Sequence, residues 1–412
     1  MKLRDYQERI STEAAECIKE NGCAYLAMEC RTGKTLTALV TAQKYGAKRV
    51  LFITKLKAIE SVRRDYEALQ KLTPSFEIDI VNYESAHKSV MHPDFVICDE
   101  AHCMGAYPKP SKRTRTVKER CKGLPVLLMS GTPTPESYSQ VFHQFWVCDN
   151  SPFKDYPNFY HWANDCYVFV KPRKVNGYTI NDYSNANKNK IDRMTKHLFF
   201  DYSQKEAGFS CTINENDLEC CMGHQIYLAL RTLKRDKILN VGPDEVVLGD
   251  TPAKLLSKMH QLSGGTVITE DGKHKILDRS KANTIKNAFR GKKIAIFYVY
   301  QSELDLLKEV FPKNTESPEE FQQSSDKVFI SQIRKAREGV RLDSADAIIF
   351  YNLEYSYLSY EQGKNRIVSK ERTSLANVYF AVSNCGIEKD ILEAVRGKKD
   401  FTLSYYKKHG NF

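Results

Sequence analysis

The chain has 412 residues, 42% of them apolar and 27% charged, with a net charge of +11. That length exceeds one ordinary domain, so two or three domains with sizeable cores are expected. No run of about eighteen apolar residues occurs, which excludes a helical membrane span, and the basic balance favours a polyanionic partner, nucleic acid being the commonest.

The opening segment MKLRDYQERI lacks the apolar stretch of a signal peptide, and the twelve cysteines form no CxxC pair. A cytoplasmic protein with reduced thiols is the expectation, and no Cys/His cluster has zinc spacing. Over the first 150 residues, short apolar runs predict strands at Ala24–Met28, Val50–Thr54, Ile78–Val81, Phe95–Cys98 and Val126–Met129. Helical periodicity covers Ser11–Lys19, Thr35–Lys44 and Lys57–Leu69. Strand–helix alternation of this kind predicts an α/β fold with a parallel sheet covered on both faces.

The middle of the chain is different. Tyr156–Tyr183 is rich in aromatics, Asn and Lys, and its rings suit either the core of an insertion or a surface that stacks on bases. Asn185–Lys190 reads as a loop, while Cys220–Ile238 and Thr251–Gln261 read as helices. Thr266–Ile276, centred on Asp271-Gly272, reads as a hairpin. The strand–helix rhythm then returns, with strands at Ile294–Tyr300, Val328–Ile330, Ala347–Tyr351 and Val378–Val382 and helices at Ser302–Val310 and Tyr360–Ile367. The domain reading is 1–147 for a first α/β domain, 148–235 for an insertion and linker, and 236–412 for a second α/β domain.

Gly33-Lys34-Thr35 follows the first strand and opens a helix, the setting a phosphate-binding loop needs. Backbone N–H groups at the helix start hold phosphates, Lys34 neutralises their charge, and Thr35 places its hydroxyl on Mg²⁺. The loop departs from the full pattern at Met28, where a first Gly is usual. Asp99-Glu100-Ala101-His102 ends another strand. Adjacent carboxylates at a strand end repel unless a cation joins them, so Asp99 is read as holding Mg²⁺ through water and Glu100 as polarising the attacking water. Ser130-Gly131-Thr132-Pro133 follows the next strand as a hydroxyl-rich turn.

In order and spacing these segments resemble superfamily-two helicases and translocases. Leu3–Gln7 resembles the leading segment in which a Gln, here Gln7, reads adenine. Glu29–Thr35, including Thr32 and Gly33, resembles the phosphate loop, Asp99–His102 the DEAH box, and Ser130–Pro133 the SGTP turn. Asn82–Ser85 and KLLSKMHQLSGG (254–265) resemble the Swi/Snf-like branch, and compact phage-encoded DNA helicases are the most similar in size. Ile294–Ser302 and Glu338–Leu342 resemble the fourth and fifth motifs; Gly339 in the fifth would contact nucleotide and DNA backbone. Gln362–Arg366 resembles the sixth, in which Arg366 would reach the γ-phosphate; Ser369 stands where a second arginine is usual, with Lys370 beside it. Helical spacing would put Ser369 and Lys370 on the side of Arg366.

The resemblance implies two RecA-like parallel-sheet domains with a helical or irregular insertion. It also implies ATP and Mg²⁺ as cofactors, and an ATP-dependent translocase or helicase acting on DNA, double-stranded or forked. Replication or recombination proteins would be further partners, no membrane would be involved, and a phage-encoded chain would work in the host cytoplasm. An RNA-dependent ATPase, or a weakly catalytic remodelling factor that uses ATP as a switch, are the alternative readings. The basic residues Arg334, Lys335, Arg337 and Arg341 suit phosphate contacts or a solvated face.

Overall fold

A computed structural model describes residues 3–71, 74–175, 178–336, 340–369, 371–372 and 374–397. The chain divides into two compact units, Met1–Gly208 and Phe209–Phe412. Residues 148–235, read from sequence as one insertion and linker, are therefore shared between the two units.

The first unit runs α1 (Asp5–Asn21), β1 (Cys23–Met28), α2 (Lys34–Tyr45), β2 (Arg49–Thr54), α3 (Ile59–Gln70), β3 (Glu77–Asn82), β4 (Phe95–Asp99), α4 (Lys112–Cys121), β5 (Val126–Met129) and α5 (Val141–Trp146). It continues through α6 (Phe159–Trp162), the hairpin β6 (Lys171–Val175) and β7 (Tyr178–Asp182), α7 (Lys188–Thr195) and β8 (Phe199–Tyr202). Six strands form one parallel sheet in the order β3-β2-β4-β5-β1-β8. β4 and β5 are buried along their whole length, which is why they read as unbroken apolar runs rather than alternating ones.

The aromatic segment resolves into core. Phe153, Phe159 and Trp162 are buried and pack ring against ring with Phe142, and buried Tyr167 packs on Phe153 and Trp162, whereas Phe169 is exposed at 53%. Of the stretch expected as a loop at Asn185–Lys190, Asn185–Asn187 lies outside any helix and Lys188–Lys190 open α7. Asn187 caps that helix by accepting from the Lys190 N–H, a local bond that a polar composition conceals.

The second unit runs β9 (Ile213–Cys220), α8 (His224–Asp236), the hairpin β10 (Ile238–Gly242) and β11 (Glu245–Leu248), α9 (Pro252–Ser263), the hairpin β12 (Thr266–Ile268) and β13 (His274–Ile276), and α10 (Ser280–Ala288). It continues through β14 (Ile294–Tyr298), α11 (Gln301–Val310), β15 (Asn314–Thr315), α12 (Pro318–Gln323), β16 (Val328–Gln332), α13 (Ile333–Ala336), β17 (Ala347–Phe350), α14 (Tyr357–Lys364), β18 (Ala376–Ser383) and α15 (Glu388–Arg396). Its parallel sheet has the order β15-β16-β14-β17-β18-β9. Cys220, expected in a helix, closes β9, and the helix starts at His224. Two six-stranded parallel sheets covered by helices are consistent with two RecA-like domains. Among the described residues no helix is long and apolar enough to cross a membrane.

Candidate nucleotide site

In the first unit the residues singled out in sequence collect at the carboxyl ends of β1 and β4. In open parallel sheets this is where ligands are held. β1 ends at Met28 and α2 begins at Lys34, so the turn between them carries the loop. Gly33 caps α2 at φ +86°, a left-handed conformation that favours glycine, and a Cβ there would meet Gln7 Nε2 at 2.5 Å. Thr32 is fully buried, with its hydroxyl donating to the Glu29 carbonyl at 2.7 Å. Lys34 Nζ donates to the same carbonyl at 3.1 Å. Thr35 is half-buried at the start of α2.

Gln7 is buried on α1. Its Oε1 accepts from the Arg4 N–H at 3.1 Å and its Nε2 donates to the Gly33 carbonyl at 3.2 Å. The amide thus caps its own helix and braces the loop, with one lone pair and one N–H left for a ligand.

Asp99 is buried, and both its oxygens are held. Thr54 donates to Oδ2 at 2.7 Å, and the Glu100 N–H donates to Oδ1 at 2.8 Å. Burial first, and then the Glu100 charge, push its carboxyl up to about 6, against the opposing pull of Thr54 and Lys34. Glu100 sits at φ +51°, an uncommon left-handed backbone for a non-glycine residue. Burial would raise Glu100, but the hydrogen bond and charge of His102, with Lys55 and Lys34 behind them, hold it well below the usual carboxylate range. His102 Nδ1 lies 3.1 Å from Glu100 Oε2 and 2.9 Å from Ser130 Oγ. Burial alone would lower His102; its contacts with Cys103 and Glu100 outweigh that and hold it at about 9. His102, its proton favoured by Glu100, thus lies buried between Glu100 and Ser130.

Thr35 and Asp99 are hard oxygen donors of the kind Mg²⁺ takes. A buried carboxylate pushed up by its neighbour's charge is the environment a divalent cation relieves, so the residues fit that ion. Sequence reading named Lys34, Thr35, Asp99 and Glu100 for this site but passed over Thr54, Lys55 and the pairing of His102 with Glu100. Thr54-Lys55 at the end of an apolar strand was the available signal.

In the second unit, Gln362 lies on α14, buried, and its side-chain oxygen lacks a hydrogen-bond partner among the described residues. Arg366 lies beyond the helix, which ends at Lys364. Its Nε donates to the Gln362 carbonyl at 3.0 Å and its own carbonyl accepts from the Leu342 N–H at 3.0 Å. Because the helix stops there, helical spacing does not carry Ser369 to the side of Arg366. Lys370, Gly339 and Arg337 lie outside the described residues. Arg334 is paired with Glu354, and Arg341 with Asp343 at 2.7 Å, so both of these basic groups already have carboxylate partners.

Residues 1–82 match the family described as the Type III restriction enzyme, res subunit. This is the stretch that carries Gln7, the phosphate loop and β2. An ATP-dependent Type ISP restriction-modification enzyme, LlaBIII, solved bound to DNA, has the same fold over 99% of this chain, with a TM-score of 0.55 and 14% identity. The chain spans 29% of the length of that enzyme. No curated protein matches in sequence. The family match thus covers the segment that carries the phosphate loop, and the structural match is one of fold.

Proposed function

We propose that the protein is an ATP-dependent DNA translocase of the DEAH-box type, with the Swi/Snf-like features noted in its sequence, that couples hydrolysis in its first unit to movement along DNA. The observation that carries this reading is the charge arrangement at the carboxyl ends of β1 and β4. Lys34, at the head of α2, acts electrostatically on two adjacent carboxylates: buried Asp99, held by Thr54 and the Glu100 N–H, and half-buried Glu100, 3.1 Å from His102. Adjacent carboxylates with such different partners take different chemical roles. Glu100, held anionic by His102, accepts the proton of the attacking water. Asp99, with Thr35, would hold Mg²⁺, which would supply positive charge against the phosphates. Lys34, now on the Glu29 carbonyl, has only to swing to the phosphates. Gln7 reads adenine with its remaining lone pair and N–H, so ATP is used and GTP poorly. Arg366, with Gln362 and Gly339, supplies the second unit's share of the machinery, the arginine meeting charge on the transferring phosphoryl group.

DNA is favoured over RNA as the track by the Swi/Snf-like features of the sequence and by the fold shared with an enzyme solved on DNA, while the net charge of +11 suits either polyanion. A motor that ignores sequence takes its affinity from phosphates. The test of the site is ATP hydrolysis by Lys34→Ala. Loss of hydrolysis and weaker ATP binding are expected, and hydrolysis at the wild-type rate would remove the phosphate loop from the account.

A further inference from the structure

A loop that cradles phosphate must turn its N–H groups toward the anion and its carbonyls away from it. In this loop the carbonyls of Glu29, Cys30, Thr32 and Gly33 are each taken by a donor. Lys34 Nζ and the Thr32 hydroxyl take Glu29, the Tyr6 hydroxyl takes Thr32 at 2.7 Å, and Gln7 Nε2 takes Gly33. The remaining tether comes from the far end of the unit. Gln204 Nε2 donates to the Cys30 carbonyl at 2.9 Å, and the Gln204 N–H donates to the Glu29 carboxylate at 2.8 Å.

The segment that holds Gln204 is itself stiff. Just before it, β8 pairs in parallel with β1, Tyr202 opposite Met28, and the Tyr202 carbonyl accepts from the Glu29 N–H at 2.9 Å. Tyr202 stacks on Tyr6 with ring centroids 4.1 Å apart. Just after it, Ser203 and Glu206 bond reciprocally, with the Ser203 N–H and hydroxyl donating to the Glu206 carboxylate and the Glu206 N–H donating to Ser203 Oγ. The chain then leaves the unit at Gly208. A residue remote in sequence from the loop, on the segment that leads to the second unit, therefore fixes the Cys30 carbonyl.

We propose that Gln204 is a positioning residue for the phosphate loop, holding the Cys30 carbonyl away from bound phosphate and so tying ATP affinity to the segment that leads out of the first unit. The proposal rests on the ATP-site reading above. Gln204 touches no substrate; it acts through the loop, so its loss falls on ATP binding more than on the chemical step.

The test measures KM and kcat for ATP, and the affinity of a fluorescent ATP analogue, on the full chain. One net hydrogen bond corresponds to about a fivefold change in an equilibrium constant. Gln204→Ala is expected to raise the KM for ATP and the analogue's Kd about fivefold, with kcat falling by less. Gln204→Glu, which sets a carboxylate against the Cys30 carbonyl and Glu29, raises both further. Gln204→Lys, which still offers a donor, restores most of the affinity. If the alanine variant fails to fold, the Glu and Lys pair gives the same reading. Wild-type KM and Kd in both Gln204→Ala and Gln204→Glu would overturn the proposal. Lys34→Ala in the same assay separates the two levels. If it loses nucleotide binding while the Gln204 variants keep theirs, only the tether falls; if it too binds normally, the ATP site itself is misplaced.

Discussion

Replacing Glu100 with Gln removes one negative charge from a place where two neighbours are tuned to it. The amide has the same shape, so Thr54, Tyr83 and the Glu100 N–H still hold Asp99. Asp99 is pushed up first by burial and next by the Glu100 charge, so in the variant its carboxyl falls toward its ordinary range and stays ionised to hold a cation. His102, raised partly by Glu100, falls as well. Binding of ATP with Mg²⁺ is therefore expected to survive. What is lost is the group that takes the proton from the attacking water. An amide cannot accept that proton, and general-base catalysis contributes about 10²–10⁴ in rate, or roughly 3–5 kcal/mol of barrier. The assay pairs steady-state hydrolysis at saturating ATP, with DNA present, with the Kd of a fluorescent ATP analogue. A drop in turnover of about a hundredfold or more with Kd no weaker than wild type is the expected result. Wild-type turnover would refute the role of Glu100, and a parallel loss of turnover and binding would make it a residue that positions nucleotide.

Three further outcomes follow from the same structure. Arg366→Ala should cost about 10³-fold or more in DNA-stimulated turnover while DNA binding, measured by fluorescence anisotropy, persists; full turnover would shift the role to another cation. Lys281 is fully buried in the second unit, with Nζ 2.5 Å from Glu388 and 4.9 Å from the Tyr351 ring centre, so Lys281→Met strands a buried carboxylate. It should destabilise the second unit by about 3–5 kcal/mol in urea unfolding, and the double variant Lys281→Met/Glu388→Gln should recover much of that loss; no change in the single variant would contradict the reading. Burial pushes His143 down to about 4 and His260 down to about 3, below the value near 6.5 of an unfolded chain. Their neutral forms are favoured in the fold, so stability is complete above about pH 6.5 and falls as the unfolded chain takes up protons below it. The loss is about 2 kcal/mol for each histidine by pH 5, and an unfolding midpoint that stays flat between about pH 7 and pH 5 would contradict it.

The five strands of the first sheet predicted from sequence are all present: β1, β2, β4 and β5 are buried and announce themselves as apolar runs, while β3, a half-buried edge strand, was still legible in Ile78–Val81. The edge strands β8 and β9 were not legible. β8, Phe-Phe-Asp-Tyr, is four residues long, and β9, Ile-Asn-Glu-Asn-Asp-Leu-Glu-Cys, is mostly exposed; each joins its sheet through parallel pairing with a strand distant in sequence. The end of α14 was missed for a different reason. The sequence after Lys364 keeps a helical look, yet the chain turns at Asn365-Arg366, and the Arg366 carbonyl pairs with Leu342 instead of continuing the helix. At the site, Lys34, Asp99 and Glu100 could be read because phosphate and cation chemistry demands those residue types after strands. The second layer could not. The His102 pairing depends on burial beside Glu100, and the Gln204 tether depends on a contact spanning 174 residues.

The central claim is that ATP hydrolysis is coupled to a DNA track, and its most direct test is the steady-state ATPase rate with no nucleic acid, single-stranded DNA, duplex DNA, forked DNA and RNA. The account predicts a low basal rate and strong stimulation by DNA, duplex or forked, whatever its sequence. That stimulation should weaken by orders of magnitude between about 50 and 200 mM salt at subsaturating DNA as phosphate contacts are screened. A rate that no nucleic acid changes would contradict it, and stimulation by RNA alone would move the motor to a different track.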